Sequence, residues 1–431
     1  MGDNGSDFRE ILGRCMEQIN TDVWRRAFLA GFGFLPMLAL LPIYNIYMPV
    51  ILQAGHPLWE GTARVASGEI TGFALSPVWA YFIMTWDNIA GILLAVWVGR
   101  RSDGMRRRKP WIIAGVALAA LSFALLPWFA NLTPFLLLVG CFSVGLALLR
   151  APALAWLGDL FAATERGRAN GMFNLLRGAV TVMALMGAAW IFRSGGLGLL
   201  FTAAAAVALS FALIAALSVE EIPKQNRDKT MGVIELLKQP LIVAFLWVVM
   251  MLFIVFQGLM VSLSAFAVFE LKIGMVLVPV AMALFALIRA CCAIPFGILG
   301  EHWGRERVIA LALFLFALLN IAAYFVVHSL PGFLLYLALA APLLSMTIVN
   351  FLPLIFDLNE DRCHGTCTGL YVMVIQIGAI IGPLGFGWLV EITGSNRTIL
   401  LASAACCLLG LIASAWLMVI RQGKCMRESY R

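Results

Sequence analysis

Charge is what this chain has least of. Asp, Glu, Lys and Arg make up 12% of its 431 residues, where a water-soluble domain carries about 25%. So small a polar inventory cannot cover a solvated surface of that size, and a soluble globule is excluded. Histidine is scarcer still: His56, His302, His328 and His364 stand far apart, at loops and helix ends. With no nucleophile, base or ligand set gathered around them, an intramembrane enzyme is not expected. The chain has no Gly-x-x-x-x-Gly-Lys-Ser/Thr run, which removes the phosphate cradle of a nucleotide-driven pump. Its nine cysteines form no framework. Cys141, Cys291, Cys292, Cys406 and Cys407 fall in apolar runs, where the thiol acts as a small hydrophobe. Cys363, His364 and Cys367 offer three soft ligands without a second pair nearby, so neither a metal centre nor a cofactor is expected.

Apolar residues fill the chain instead, at 62% of the total and a mean hydropathy of +0.95. A helix needs about 20 such residues to cross roughly 30 Å of hydrocarbon. Twelve runs of that order lie near 26–53, 72–99, 110–131, 133–157, 171–193, 196–219, 240–267, 275–300, 306–328, 331–356, 366–391 and 397–420. The expected fold is therefore an all-α integral membrane protein with twelve transmembrane helices in two six-helix bundles. Segment 1–25 leads into a first bundle, 26–219; a linker, 220–239, joins it to a second, 240–420; and 421–431 forms a tail. The first run is too long for a signal-peptide core and reads as helix one. If the N-terminus is cytoplasmic, 23 of the 30 Lys and Arg face the cytoplasm, and only Arg64, Arg193, Lys272 and Arg397 lie outside. Three more fall within spans: Arg150, Arg177 and Arg289. That bias predicts a multi-pass protein of the cell membrane with both termini cytoplasmic. The net charge of +7 follows from it. The lipid bilayer is the partner it implies; no nucleic acid is needed, and a monomer is expected.

The two halves repeat at an offset of 198 residues. Gly99-x-x-x-Asp103-x-x-Arg106-Arg107-x-Lys109 recurs as Gly297-x-x-x-Glu301-x-x-Gly304-Arg305-x-Arg307, Asp159 maps onto Asp357, and Gly171-Met-Phe173 onto Gly369-Leu-Tyr371. Six helices per half that start on the same side make a parallel repeat about an axis along the membrane normal. The doubled loop resembles the signature loop of the major facilitator superfamily. Within it, the chain is similar to the sucrose-transporter branch and the related glycoside-pentoside-hexuronide symporters. The similar residues are Trp86-Asp87-Asn88, Ser102-Asp103 with Arg107-Arg108-Lys109-Pro110-Trp111, Arg150-Ala-Pro152, Arg168-Ala-Asn170-Gly171 and Gly365-Thr-Cys-Thr-Gly369-Leu-Tyr371. Two departures stand out: Arg106 replaces a glycine of the loop, and Ile83 and Gly91 stand where a second carboxylate would be needed for a paired-acid sodium site.

That resemblance implies a secondary-active carrier working by alternating access, importing a sugar or glycoside with a proton. Export of an amphipathic compound, or a non-transporting role on the same scaffold, are the rival readings. Asp87 is the one acid placed centrally in a span, roughly 18 Å from Gly99 at 1.5 Å per residue. An ionisable group there normally faces a partner or a wet cavity. Burial opposes the carboxylate's charge and a nearby arginine favours it, so a change in either can load and release a proton. Asp87 is the proton-coupling candidate; the alternative is a static ion pair with Arg150 or Arg177. Candidates for the substrate cavity are Tyr44, Asn45, Trp86, Asn88, Arg150, Gln257, Arg289, Asn350 and Gln376, which mix donors, acceptors and ring faces as a hydroxylated ligand requires. Gly99, Asp103, Arg107, Arg108, Asp159, Glu301, Arg305 and Asp357 form a candidate latch between the bundles.

Overall fold

The computed structural model describes residues 28–29, 31–59, 72–105, 108–160, 166–218, 237–358 and 364–429. These residues build helices α1 (Leu35–Gln53), α2 (Pro77–Met84), α3 (Trp86–Met105), α4 (Lys109–Leu125), α5 (Leu132–Leu160) and α6 (Arg166–Ser218). The second half supplies α7 (Pro240–Ala265), α8 (Leu277–Trp303), α9 (Arg305–Val326), α10 (Leu330–Leu358), α11 (His364–Thr393) and α12 (Thr398–Ser429). Among the described residues, ten helical stretches are long and apolar enough to cross a membrane, and one of them, Leu176–Leu217, runs for 42 residues. That length is twice what a crossing needs. Its backbone leaves the helix at Gly196, with φ 68 and ψ −163, so α6 carries the fifth and sixth crossings. The second crossing is divided between α2 and α3 at Thr85. Twelve crossings result.

Apolar side chains point outward along the spans, with Trp190 73% and Leu217 79% exposed. Water would not tolerate that surface; lipid does. Helices α1–α6 form one bundle and α7–α12 the other. Within them, α4 lies along α5, α1 along α6, α7 along α11 and α12, and α8 along α10. Small residues permit the closest approaches. A Cβ at Gly382 of α11 would collide with the Ile254 carbonyl of α7, so only glycine fits that crossing.

The bundles meet through α1 with α7, α2 with α11 and α6 with α8. At the end distal to the termini, contacts pass directly between them. Trp59 stacks on Phe269 with ring centroids 5.2 Å apart. The Val78 amide donates to Glu391 Oε2 at 3.3 Å, and the Tyr81 hydroxyl donates to Asn396 Oδ1 at 3.5 Å. Asn396 is itself held by Glu270, whose carboxylate accepts from the Asn396 amide at 3.2 Å and pairs with Arg397 at 3.2 Å. The distal end is closed.

Candidate functional site

Thr85 interrupts the second crossing because its hydroxyl donates to the Phe82 carbonyl at 2.7 Å. Such a side-chain bond competes with the helical ladder. The Thr85 carbonyl then accepts from Asn88 and Ile89, both at 3.0 Å, and α3 begins afresh inside the hydrocarbon with Asp87 in its first turn. A helix N-terminus favours negative charge. Asp87 is 4% exposed and pairs with Arg150 of α5, Nη2 to Oδ2, at 3.0 Å. The Asn88 side-chain amide donates to Asp87 Oδ1 at 2.9 Å. Burial penalises this charge and is the largest influence on it; guanidinium, amide and helix end offset part of the penalty. Of the two partners expected for Asp87, the structure chooses Arg150.

Other expected cavity residues divide into open and sealed. Asn45, Gln257 and Gln376 are half-buried. Their amides make no hydrogen bond to a described residue, and none is enclosed as an orphan. The Gln376 amide and the Arg150 guanidinium converge over Gly91, where a Cβ would stand 2.9 Å from Gln376 Nε2 and 3.3 Å from Arg150 Nη1. Groups from α3, α5 and α11 therefore meet across the two bundles. Tyr44 is sealed, its ring 4.7 Å from that of Phe142 and its buried hydroxyl unbonded. It lies close enough to Asp87 to feel the carboxylate's charge.

Two residues stand elsewhere than expected. Asn350 is fully buried, and its amide donates to the Phe296 carbonyl of α8 at 3.1 Å and to the Met346 carbonyl at 2.9 Å. Its Nδ2 joins α8 to α10, while its Oδ1 is buried with no partner among the described residues. Trp86 forms the inner wall of an apolar groove of about 530 Å³ with Leu118, Leu136, Gly140 and Val144, on the outer flank of the first bundle and away from the converging amides.

The latch residues are only partly within view. Arg305 pairs with Asp357 at 3.1 Å and with Glu301 at 3.7 Å, tying the ends of α8, α9 and α10 inside one bundle instead of bridging two. Gly99 and Asp103 lie on the last turns of α3, and Asp159 on the last turn of α5; their side chains, and all of Arg107, lie outside the described residues. Arg108 precedes α4 and is partnered.

Arg289 and Arg177 complete the interior. Arg289 of α8 is half-buried, its guanidinium 5.6 Å from the Phe256 ring centroid. Arg177 of α6 is exposed, although Tyr371 and Arg289, both of the other bundle, are close enough to sense its charge. Exposure with neighbours from the opposite bundle means that Arg177 borders the gap between them. Since the distal end is closed, that gap opens toward the face of the termini. The sequence marked Arg177 as a charge within a span; nothing in it joined Arg177 to Tyr371 or Arg289 to Phe256.

Residues 28–291 and 270–424 match the family model described as Major Facilitator Superfamily. Among solved structures, a bacterial homologue of the human lysosomal transporter Spinster, inward-facing and unoccupied, aligns with a TM-score of 0.68 over 92% of this chain and 98% of its own, at 16% identity. The nucleoside transporter NupG aligns with a TM-score of 0.70 over 92% of this chain and 99% of its own, at 12% identity. Both likenesses are of fold. No curated protein matches the chain.

Proposed function

The chain belongs to the major facilitator superfamily, and from that premise we propose that this membrane transporter is a proton-coupled, secondary-active carrier of a small hydroxylated molecule, a sugar or glycoside, working by alternating access. The observation that carries the reading is the Asp87–Arg150 pair at 3.0 Å beside the unbonded amide of Gln376. A substrate hydroxyl that engages Arg150 competes with Asp87 for the same guanidinium. Weakening the pair leaves a buried carboxylate, which then takes a proton because the charged form has lost its main support. Proton and substrate thereby bind together, and the neutralised site lets the bundles rock.

Asn45, Gln257 and Gln376 supply donors and acceptors for ring hydroxyls. The motifs shared with the sucrose-transporter branch, Trp86-Asp87-Asn88 and Arg150-Ala-Pro152, support a sugar as cargo. The test is uptake of labelled mono- and disaccharides into proteoliposomes with and without a pH gradient. Wild type should accumulate its substrate only with the gradient. Asp87→Asn should lose that accumulation while keeping exchange of internal for external substrate; proton-driven accumulation by the variant overturns the mechanism.

A further inference from the structure

Arg177 and Arg289 border the bundle interface from opposite sides, and among the described residues no acid pairs with either. A Cβ at Gly178, next to Arg177, would stand 3.2 Å from that of Ala290, next to Arg289, so the two arginines flank one point of contact between α6 and α8. Their charges oppose each other at that range. Each described carboxylate is already engaged: Asp87 by Arg150, Glu270 by Arg397, Glu306 by Arg421, Glu301 and Asp357 by Arg305, and Glu391 by the Val78 amide. Among the described residues neither the Arg177 nor the Arg289 guanidinium has a hydrogen-bond or ion-pair partner; the one bond to Arg289 is made by its carbonyl, which accepts from Ser345 at 2.9 Å.

Two guanidiniums that sense each other's charge beside a shared helix contact are unfavourable until an anion joins them. Their planar donor forks suit a carboxylate or phosphate. Phe256 supports the Arg289 guanidinium from one side. Tyr371, stacked against Phe245 with centroids 6.4 Å apart, lies within range of Arg177's charge, and its hydroxyl bonds to none of the described residues. Arg177 is open to the gap, so the pair can be reached from solvent.

We infer that the transported molecule carries an anionic group, a carboxylate or a phosphate, received between Arg177 and Arg289 with the Tyr371 hydroxyl as a further donor. This rests on the carrier reading above and narrows its cargo from a neutral sugar to an acidic one. The Asp87–Arg150 pair lies apart and keeps its coupling role.

The test uses the full chain in detergent at low salt, with thermal unfolding read in the presence of D-glucose, D-glucuronate, glucose 6-phosphate or inorganic phosphate. Glucuronate or glucose 6-phosphate should raise Tm and glucose should not. The two anions together separate a carboxylate from a phosphate site, and inorganic phosphate separates a free-anion effect from recognition of a sugar acid. Arg177→Gln and Arg289→Gln should each abolish the rise, while Arg307→Gln, at an exposed position outside the gap, should keep it. Without any ligand, Arg289→Gln should raise Tm, because it removes the repulsion; a purely structural arginine would lower it. Stabilisation by glucose alone, silence of all three anions, survival of the rise in both variants, or a lower ligand-free Tm for Arg289→Gln overturns the anion site. Arginine-dependent stabilisation with no uptake into vesicles overturns the carrier reading and leaves the site standing.

Discussion

At the scale of single residues, the two halves of the interior ion pair are unequal. Asp87 is 4% exposed and Arg150 16%, so removing the arginine strands a charge that water cannot reach, whereas removing the acid leaves a longer cation able to move toward the gap. Breaking a buried pair by deleting one partner costs about 3–5 kcal/mol. Arg150→Ala should approach that loss, and Asp87→Asn, which keeps a polar group for Asn88, should fall well below it; denaturant titration of both variants in micelles checks the order, and equal losses would contradict it. Asp87 was legible in the sequence because an acid stands out within an apolar run. Its partner was one of two possibilities, since Arg150 and Arg177 both sit in spans and only packing separates them. Asn350 misled for the opposite reason. An amide in a span reads the same whether it lines a cavity or bonds a neighbouring backbone, and here it bonds Phe296 and Met346.

Elements show a different division. Hydropathy located all twelve crossings, because each needs a long apolar run, but it could not see that the second is divided. Between Val78 and Ala90 the sequence has no proline or glycine to mark a break, and the division comes from one hydroxyl turned onto the Phe82 carbonyl. The turn between the fifth and sixth crossings was legible as Gly195-Gly196. Gly196, at φ 68 and ψ −163, occupies a region that is essentially closed to other residues and costs them about 1–3 kcal/mol. Gly196→Ala should lose that much stability in the same unfolding assay with transport kinetics unchanged. The distal closure depends on how nearly α2 touches α11: a Cβ at Gly387 would stand 2.8 Å from the Tyr81 ring and 3.0 Å from the Pro77 carbonyl. Gly387→Val should therefore wedge the bundles apart there. Spin labels at Ser76→Cys and Thr393→Cys, in a background lacking the native cysteines, should move apart in that variant; an unchanged distance distribution would show that the helices absorb the added bulk. The Arg305 triad is of another kind. Glu301 and Asp357 are 65% and 46% exposed, so its pairs contribute on the order of 1 kcal/mol or less and hold helix ends in register without locking the molecule.

For the whole molecule, the repeat at 198 residues was enough to expect two bundles, because each half must bury the same pattern of faces. Which end of the cleft is open was not legible, since a sequence with two interconverting packings encodes both. The structure has the distal closure of Trp59 with Phe269, Tyr81 with Asn396, and Asn396 with Glu270, and it leaves Arg177 exposed. This geometry opens the cleft toward the face of the termini, and we propose, from the excess of Lys and Arg on that side, that this face is the cytoplasmic one. Sidedness of labelling tests both halves of that statement at once. With Arg177→Cys as the single cysteine, a membrane-impermeant maleimide should react in inverted vesicles and not in intact cells, while a cysteine at His56 should show the reverse. On the carrier reading proposed above, a bound substrate shifts the population toward the distal-open state in proportion to its preference for that state. Labelling at 177 from outside the intact cell would reverse the orientation, and with it the direction in which the cleft loads.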